Sequence, residues 1–250
     1  MIIPAALIEK LKNARHVVVF TGAGVSAESG IPTFRDDMTG FWQNFSSEKL
    51  ATKQGFLQDP ALVWGWYEWR RHKVLQAQPN PAHQVIAKLA EHYAKFSVIT
   101  QNVDDLHERA GSQNVRHLHG NLQQGRCIAC YKPYEHTNNE PIAALAECKI
   151  EPPRCQHCGD LIRPSVVWFG ERLPVDILSE AEDEAEICDV MLIIGTSASV
   201  YPAANIPLIA IRYKPTTVQI NATPTKLDSQ VDFNLSGKAG EILPLLFEAL

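Results

Sequence analysis

The sequence contains no run of about 18 apolar residues, the length a helix needs to cross a bilayer. Its first ten residues, MIIPAALIEK, lack the basic segment and the long apolar stretch of a secretory signal. Both absences lead to the expectation of a soluble, cytoplasmic protein with no membrane partner. Positive charge is also short. Lys and Arg number 23 against 28 Asp and Glu, a formal net charge of -5, so no chain-wide field exists to hold a nucleic-acid backbone. No sequence-specific nucleic-acid partner is therefore expected. There is no internal repeat and no low-complexity segment. What is present is an ordinary globular composition, 45% hydrophobic and 20% charged over 250 residues, enough for one large core or a large domain plus a small one.

Four short apolar runs each stop at polar or glycine residues: His16–Phe20 before Thr21, Phe96–Thr100 before Gln101, Val190–Ile194 before Gly195, and Thr217–Ile220 before Asn221. Such runs read as strands buried on both faces, and polar residues at their C-terminal ends describe an open parallel sheet with its ligand crevice along one edge. Helical patterns lie between or beside them at 3–14, 81–93, 176–187 and 239–250. The alternation predicts an α/β fold with a Rossmann-like, doubly wound parallel sheet. Two stretches break the alternation. One, 36–79, is rich in Trp and Phe and reads as helical around 60–75; the other, 121–163, holds paired cysteines and several prolines. The expected organisation is a Rossmann-like domain from 1–35, 80–120 and 164–250, with the helical module 36–79 and the metal module 121–163 forming a small lobe over the crevice.

Gly22-Ala23-Gly24-Val25-Ser26-Ala27 fits the dinucleotide pattern G-x-G-x-x-G/A directly after a strand. In such a turn, backbone amides approach a pyrophosphate and the following helix N-terminus adds favourable partial charge. The alternative is a tight strand-to-helix turn with no ligand. A hydride-transferring dehydrogenase would also need a second strand ending in Asp or Glu about 20 residues on. That region is GFWQNFSS (40–47), which is no such strand. The site is expected to bind a dinucleotide, but not for hydride transfer.

Of six cysteines, four form the pairs Cys127/Cys130 and Cys155/Cys158, 24 residues (131–154) apart. Two such knuckles supply four thiolates for one closed, tetrahedral structural Zn2+; two disulfides are the alternative. Cys188, at the entry to an apolar run, reads as core, and Cys148 is unassigned.

The longer string from Gly22 to Arg35, GAGVSAESGIPTFR, closely resembles the sirtuin signature. The resemblance continues through TQNVDDLH (100–107), LHG (118–120), VVWFGE (166–171), GTS (195–197) and Ile220-Asn221, in family order over nearly the whole chain. It implies an NAD-dependent protein-lysine deacylase in which NAD is a consumed co-substrate: the acyl oxygen attacks the ribose as nicotinamide leaves, giving 2'-O-acyl-ADP-ribose and free lysine.

By the same resemblance His119 is the general base that takes a proton from a ribose hydroxyl, a task suited to an imidazole with an unperturbed pKa near 6.5. The cofactor contacts implied are Gly22, Ala23, Gly24 and Ala27 in the turn, Phe34 and Arg35 in a loop, Gln101, Asn102 and Asp104 near ribose and nicotinamide, and Gly195, Thr196, Ser197 and Asn221 further along. Many sirtuins carry an acidic residue two places after that Asn; here it is Thr223, which receives no role. Val167, Trp168, Phe169 and Gly170 resemble the segment that pairs with a substrate peptide as an added strand. Tyr67 and Arg70 lie three apart, on one face of the expected helix. They resemble the acyl-pocket pair of the class III subgroup that removes succinyl and malonyl groups, a phenol and a guanidinium that together hold a carboxylate. The partners implied are acylated lysine side chains of other proteins. Three alternatives are a plain deacetylase, a dehydrogenase, disfavoured by the missing ribose acid, and a non-catalytic zinc-ribbon interaction module.

Overall fold

The computed structural model describes residues 2–32, 46, 50–136 and 149–250. Phe34, Arg35 and Cys148 lie outside the described residues. No helix among those described is long and apolar enough to cross a membrane.

The first strand, β1 (His16–Thr21), is buried at all six positions, as its consecutive valines require. A strand buried on both faces needs helices on both. Val17 and Val19 pack with Leu7 and Leu11 of α1 (Ala5–Asn13), Ile86 and Leu89 of α5 (Pro81–Leu89), and Leu243 and Leu246 of α9 (Ala239–Glu248). Val18 and Phe20 face the other way, onto Ala181 and Ala185 of α7 (Val175–Ile187) and Ile206 and Ala210 of α8 (Asn205–Tyr213). Between the flanking layers runs a six-stranded parallel sheet. Its strands are β1, β2 (Lys95–Thr100), β3 (Val115–His117), β7 (Val190–Ile194), β8 (Thr216–Asn221) and β9 (Phe233–Ser236), ordered β3-β2-β1-β7-β8-β9. The order reverses direction between β1 and β7, which is where open α/β sheets bind ligands. The expected doubly wound sheet is thus present, with two edge strands, β3 and β9, beyond the four legible in the sequence. The helix expected to reach residue 93 ends at Leu89 and passes into a 3-10 turn, Ala90–His92.

Register aligns the strand ends. Thr21 stands opposite Thr100 and Ile194, and Ile194 opposite Ile220. Gly22, Gln101, Gly195 and Asn221 therefore come out on one level of the same sheet edge.

The small lobe has its own sheet, β5-β4-β6, all antiparallel, from β4 (Gly120–Cys127), β5 (Pro133–Glu135) and β6 (Ile162–Val166). Strand β6 straddles residues 163 and 164, so this sheet extends to Val166. Two helices join it, α3 (Lys53–Gln58) and α4 (Pro60–Gln76). Asp59 caps α4 by accepting from the Leu62 amide at 3.1 Å, with Pro60 in the first turn. Helix α4 is buried on nearly every side, polar Glu68, Arg71 and His72 included. Trp64, Trp66 and Tyr67 enter a shared core with Leu122, Ile162 and Trp168. A helix buried all round carries no simple amphipathic stripe, and each of its charges needs a partner.

One contact fixes the crossing of the main sheet. Gly195 has φ +61, and a Cβ there would lie 2.3 Å from the Val25 nitrogen. At Gly30, φ is +81 with open space around it. Gly30→Ala should thus cost only the left-handed strain, about 1–2 kcal/mol. Gly195→Ala meets backbone that cannot yield, and the expected loss exceeds about 3 kcal/mol, toward the exceptional end for one substitution. Urea unfolding of the two variants checks the difference.

Candidate functional site

The glycine turn follows β1 as expected, and its two glycines pack against the turn after β7. A Cβ on Gly22 would stand 2.7 Å from the Thr196 Cβ, and one on Gly24 2.8 Å from the Gly195 Cα. The Gly22 amide donates to the Ile194 carbonyl (3.0 Å) and the Gly24 amide to the Gly195 carbonyl (2.8 Å). The close approach of the turn after β7 thus requires these two glycines, and its carbonyls take their N–H groups. The following helix, α2 (Gly24–Ala27), is a single turn, so its dipole is weaker than the sequence pattern implied.

Polar side chains fill the level above. Gln101 Nε2 donates to Thr196 Oγ1 (2.8 Å), and Asn102 Nδ2 donates to Ser26 Oγ (3.0 Å). Asp104 is buried; its Oδ1 accepts from the Leu106 amide (3.1 Å), which opens the short α6 (Leu106–Arg109). Burial raises the Asp104 carboxyl above its usual range, against the pull of that amide and the Ser26 hydroxyl. Ser197 shares a hydrogen bond with Ser199 (2.8 Å), and Asn221 Nδ2 donates to the Thr223 carbonyl (2.8 Å). Ser26, absent from the candidates, is the hub linking β1 to β2: its hydroxyl also meets His83 Nε2 at 3.4 Å. Its place inside the GAGVSAESG string was the available signal.

His119 follows β3. Its Nδ1 lies 2.8 Å from the Gln101 carbonyl oxygen. A carbonyl only accepts, so Nδ1 carries the hydrogen and Nε2 keeps a free lone pair. Burial lowers the His119 pKa below its usual value, more than the Gln101 carbonyl restores. Neighbouring His117 is different. Its Nε2 meets Glu108 at 2.6 Å and its Nδ1 the Asn102 carbonyl at 3.0 Å. Burial opposes its charge, but the Glu108 carboxylate more than compensates and raises its pKa.

Beside His119 the chain turns into the small lobe. The Val167 amide donates to the His119 carbonyl (2.8 Å), the Trp168 amide to Glu171 Oε2 (2.9 Å), and the Phe169 amide to the Ala51 carbonyl (2.9 Å). All three N–H groups are engaged within the protein, so an added strand would have to use carbonyls of this segment and the Gly170 amide. Trp168 is fully buried, and its Nε1 donates to the Tyr67 hydroxyl oxygen at 3.0 Å. Burial pushes the Tyr67 phenol up to about 12, with Arg70 pulling the other way. Burial likewise lowers Arg70, while Tyr67 and Asp104 favour its charge; its guanidinium lies 5.0 Å from the Trp66 ring. Over the Trp168 ring, the Arg163 guanidinium sits 3.3 Å from the centroid and is held bidentately by Glu171 at 2.5 and 2.9 Å. The sequence offered little sign of this pair, since opposite charges eight apart match no helix or strand period.

The four cysteines converge. Cys127 Sγ is 3.4 Å from Cys158 Sγ, Cys130 Sγ is 3.6 Å from Cys155 Sγ, and all four lie within 4.8 Å of one another. Disulfide sulfurs would be about 2.05 Å apart, and the cysteines are free. Four thiolates at a Zn–S distance of about 2.3 Å would lie about 3.8 Å apart around one ion, so the donor set fits zinc.

Comparison with known proteins agrees with this geometry. The Sir2 family model matches residues 22–202. The chain is 54% identical over 244 residues to an NAD-dependent protein deacylase of Methylococcus capsulatus, covering 98% of this chain and 96% of that protein. The chain belongs to the Sir2 family. A Sir2 relative from Archaeoglobus fulgidus, named NAD-dependent protein deacylase 1, is 48% identical over 95% of this chain and 94% of its own length. Among solved structures, a Sir2 homologue in complex with NAD superposes with a TM-score of 0.90 at 46% identity, over 99% of this chain and 94% of that one. A Sir2 structure holding a deacetylated p53 peptide and 3'-O-acetyl ADP ribose superposes at 0.84, with 35% identity over 97% and 96%.

The closed thiolate set generates a prediction for this Sir2 chain. Metal analysis should find one zinc per molecule. Because four thiolates leave no open coordination position, Cys127→Ser should lower solubility and the unfolding midpoint before it alters the reaction. A metal-free protein with unchanged fold and turnover would contradict this.

Proposed function

We propose that the chain is an NAD-dependent protein-lysine deacylase that removes acetyl groups and prefers acidic acyl groups such as succinyl and malonyl. The observation that carries the reaction is His119, whose hydrogen bond to Gln101 fixes the tautomer and leaves Nε2 as a base at the C-terminal edge of the sheet, next to the loop after β2. The polar row of Gln101, Asn102, Asp104, Thr196, Ser197 and Asn221 has the donor and acceptor chemistry to hold a dinucleotide's ribose and phosphate oxygens. Bound there, NAD supplies an anomeric carbon that the acyl oxygen attacks as nicotinamide leaves. His119 Nε2 then accepts the proton of a ribose hydroxyl, so that this oxygen can attack the acyl carbon. The zinc would be held by Cys127, Cys130, Cys155 and Cys158 and organise the small lobe.

Support for the acidic acyl preference comes from the Tyr67 hydroxyl. Its oxygen already accepts from Trp168 Nε1, and burial keeps it protonated, so its own O–H is available as a donor. The Arg70 cation on the same helix adds charge. A carboxylate suits that combination; an acetyl methyl does not.

The base must be neutral to act. Turnover is expected to hold above the His119 pKa and to fall as pH drops through it, with the acid limb of kcat/KM centred below the usual imidazole value of about 6.5. His119→Tyr should retain NAD binding and lose about 10²–10⁴ in rate. An acid limb at or above 6.5, or a folded variant with near-normal turnover, removes His119 from the reaction.

Acyl selectivity is read by kcat/KM on matched succinyl and acetyl peptides. Hydrogen bonds to charged groups contribute about 1.5–3 kcal/mol, so Tyr67→Phe and Arg70→Met should each reduce desuccinylation about tenfold to a hundredfold, with a much smaller change in deacetylation. Equal losses on both peptides would assign these residues to the fold and leave a plain deacetylase.

A further inference from the structure

The loop after β2 is held by a row of donors from the segment that follows β3. Four consecutive carbonyls are taken in this way: Thr100 accepts from the Leu118 amide (2.9 Å), Gln101 from His119 Nδ1 (2.8 Å), Asn102 from His117 Nδ1 (3.0 Å) and Val103 from the Leu122 amide (2.8 Å). The Gln101 and Asn102 side chains, whose backbone is fixed by this row, then reach Thr196 and Ser26.

The donor on Asn102 differs from the other three. An amide always carries its hydrogen, and His119 serves the row with one hydrogen on Nδ1. His117 must satisfy two acceptors at once, because its Nε2 also meets the Glu108 carboxylate at 2.6 Å. Neither a carbonyl nor a carboxylate has a hydrogen to give, so both bonds exist together only while the ring is an imidazolium. When one proton leaves, the hydrogen that remains favours the carboxylate, the stronger acceptor. A lone pair is then turned on the Asn102 carbonyl.

The charged groups facing His117 are Glu108 and His107 of α6 and Asp104 just before that helix. Glu180 and Glu184 of α7 meet β3 at Arg116 instead, whose side chain lies on the opposite side of the strand. Burial lowers His107 well below its usual value, whereas Glu108 outweighs burial at His117 and raises it. The hold on Asn102 is therefore present at pH 6.5 and below, and is lost as pH rises through the raised His117 value.

We propose that His117 is a positioning residue for dinucleotide binding, its imidazolium bridging Glu108 and the Asn102 carbonyl so that the loop after β2 keeps its binding shape. This rests on the reading of Asn102 as a dinucleotide contact.

The test is calorimetric titration of the zinc-loaded full chain with ADP-ribose, from about pH 6.5 to about pH 9.5 at constant ionic strength, with the unfolding midpoint measured for every variant. Binding is read instead of turnover, so proton transfer at His119 does not enter. The wild-type affinity should fall about three- to tenfold, the worth of one hydrogen bond, with its midpoint above 6.5. His117→Asn puts an amide donor near the place of Nδ1 with no proton to lose, and should bind tightly across the range. His117→Leu should bind weakly throughout. Glu108→Gln gives the sharpest sign: its amide offers a hydrogen to Nε2, so a neutral His117 keeps its own on Nδ1, and binding at about pH 9 should be tighter than in the wild type. A pair that only supported the fold would weaken binding when broken. A flat wild-type profile, a pH dependence that persists in His117→Asn and so belongs to another group such as Asp104, or a Glu108→Gln variant no tighter than wild type at about pH 9 would each overturn the role of His117 and leave the dinucleotide site standing. Absence of ADP-ribose binding at every pH would overturn both.

Discussion

The two turns that follow β1 and β7 approach so closely that a methyl group on Gly22, Gly24 or Gly195 would overlap the opposite backbone or the Thr196 side chain. That contact sits at the one place where strand order reverses. It brings Thr196 within reach of Gln101, and Gln101 in turn presents the carbonyl that sets the His119 tautomer. A chain of three short contacts thus runs from glycine packing to the basicity of one ring nitrogen. The crevice is stiff because its floor is backbone against backbone, which has no rotamers through which to relax.

A second set of constraints comes from burying charge in the small lobe. Helix α4 has no solvent face wide enough for Glu68 and Arg71, so they answer each other and His136. Arg163 is likewise buried and is answered by Glu171, with the Trp168 ring beneath it. Removing one member of such a pair leaves the other uncompensated, which is far more damaging than the pair is stabilising. The Arg163–Glu171 pair therefore serves to hold Trp168 in one orientation more than to add stability.

Legibility in the sequence followed how much of each feature was local. Strands β1, β2, β7 and β8 were readable because they are buried on both faces and so are continuous apolar runs. Edge strands β3 and β9 were not: they are three and four residues long and largely polar. Helix α8 escaped because Pro207 interrupts a run that is apolar without clear period. The cysteine pairs were legible from spacing alone, since metal knuckles are local. The glycine turn was legible, but its packing against Gly195 was not, because that partner is about 170 residues away in sequence. Arg163 and Glu171 depend on a tertiary stack that no period reveals.

The Trp168 indole does something to Tyr67 beyond packing. A phenol hydroxyl has one free torsion, and a group that can rotate must be frozen when it binds. With its oxygen already receiving the indole hydrogen, the Tyr67 O–H is confined to the remaining directions, so in the acyl-recognition role proposed for it little orientational entropy would be lost on binding. The same confinement works against the wrong guest. An acyl tip with no acceptor would leave a desolvated, immobile donor facing hydrocarbon. Discrimination by an unsatisfied donor is steeper than discrimination by a missing methylene.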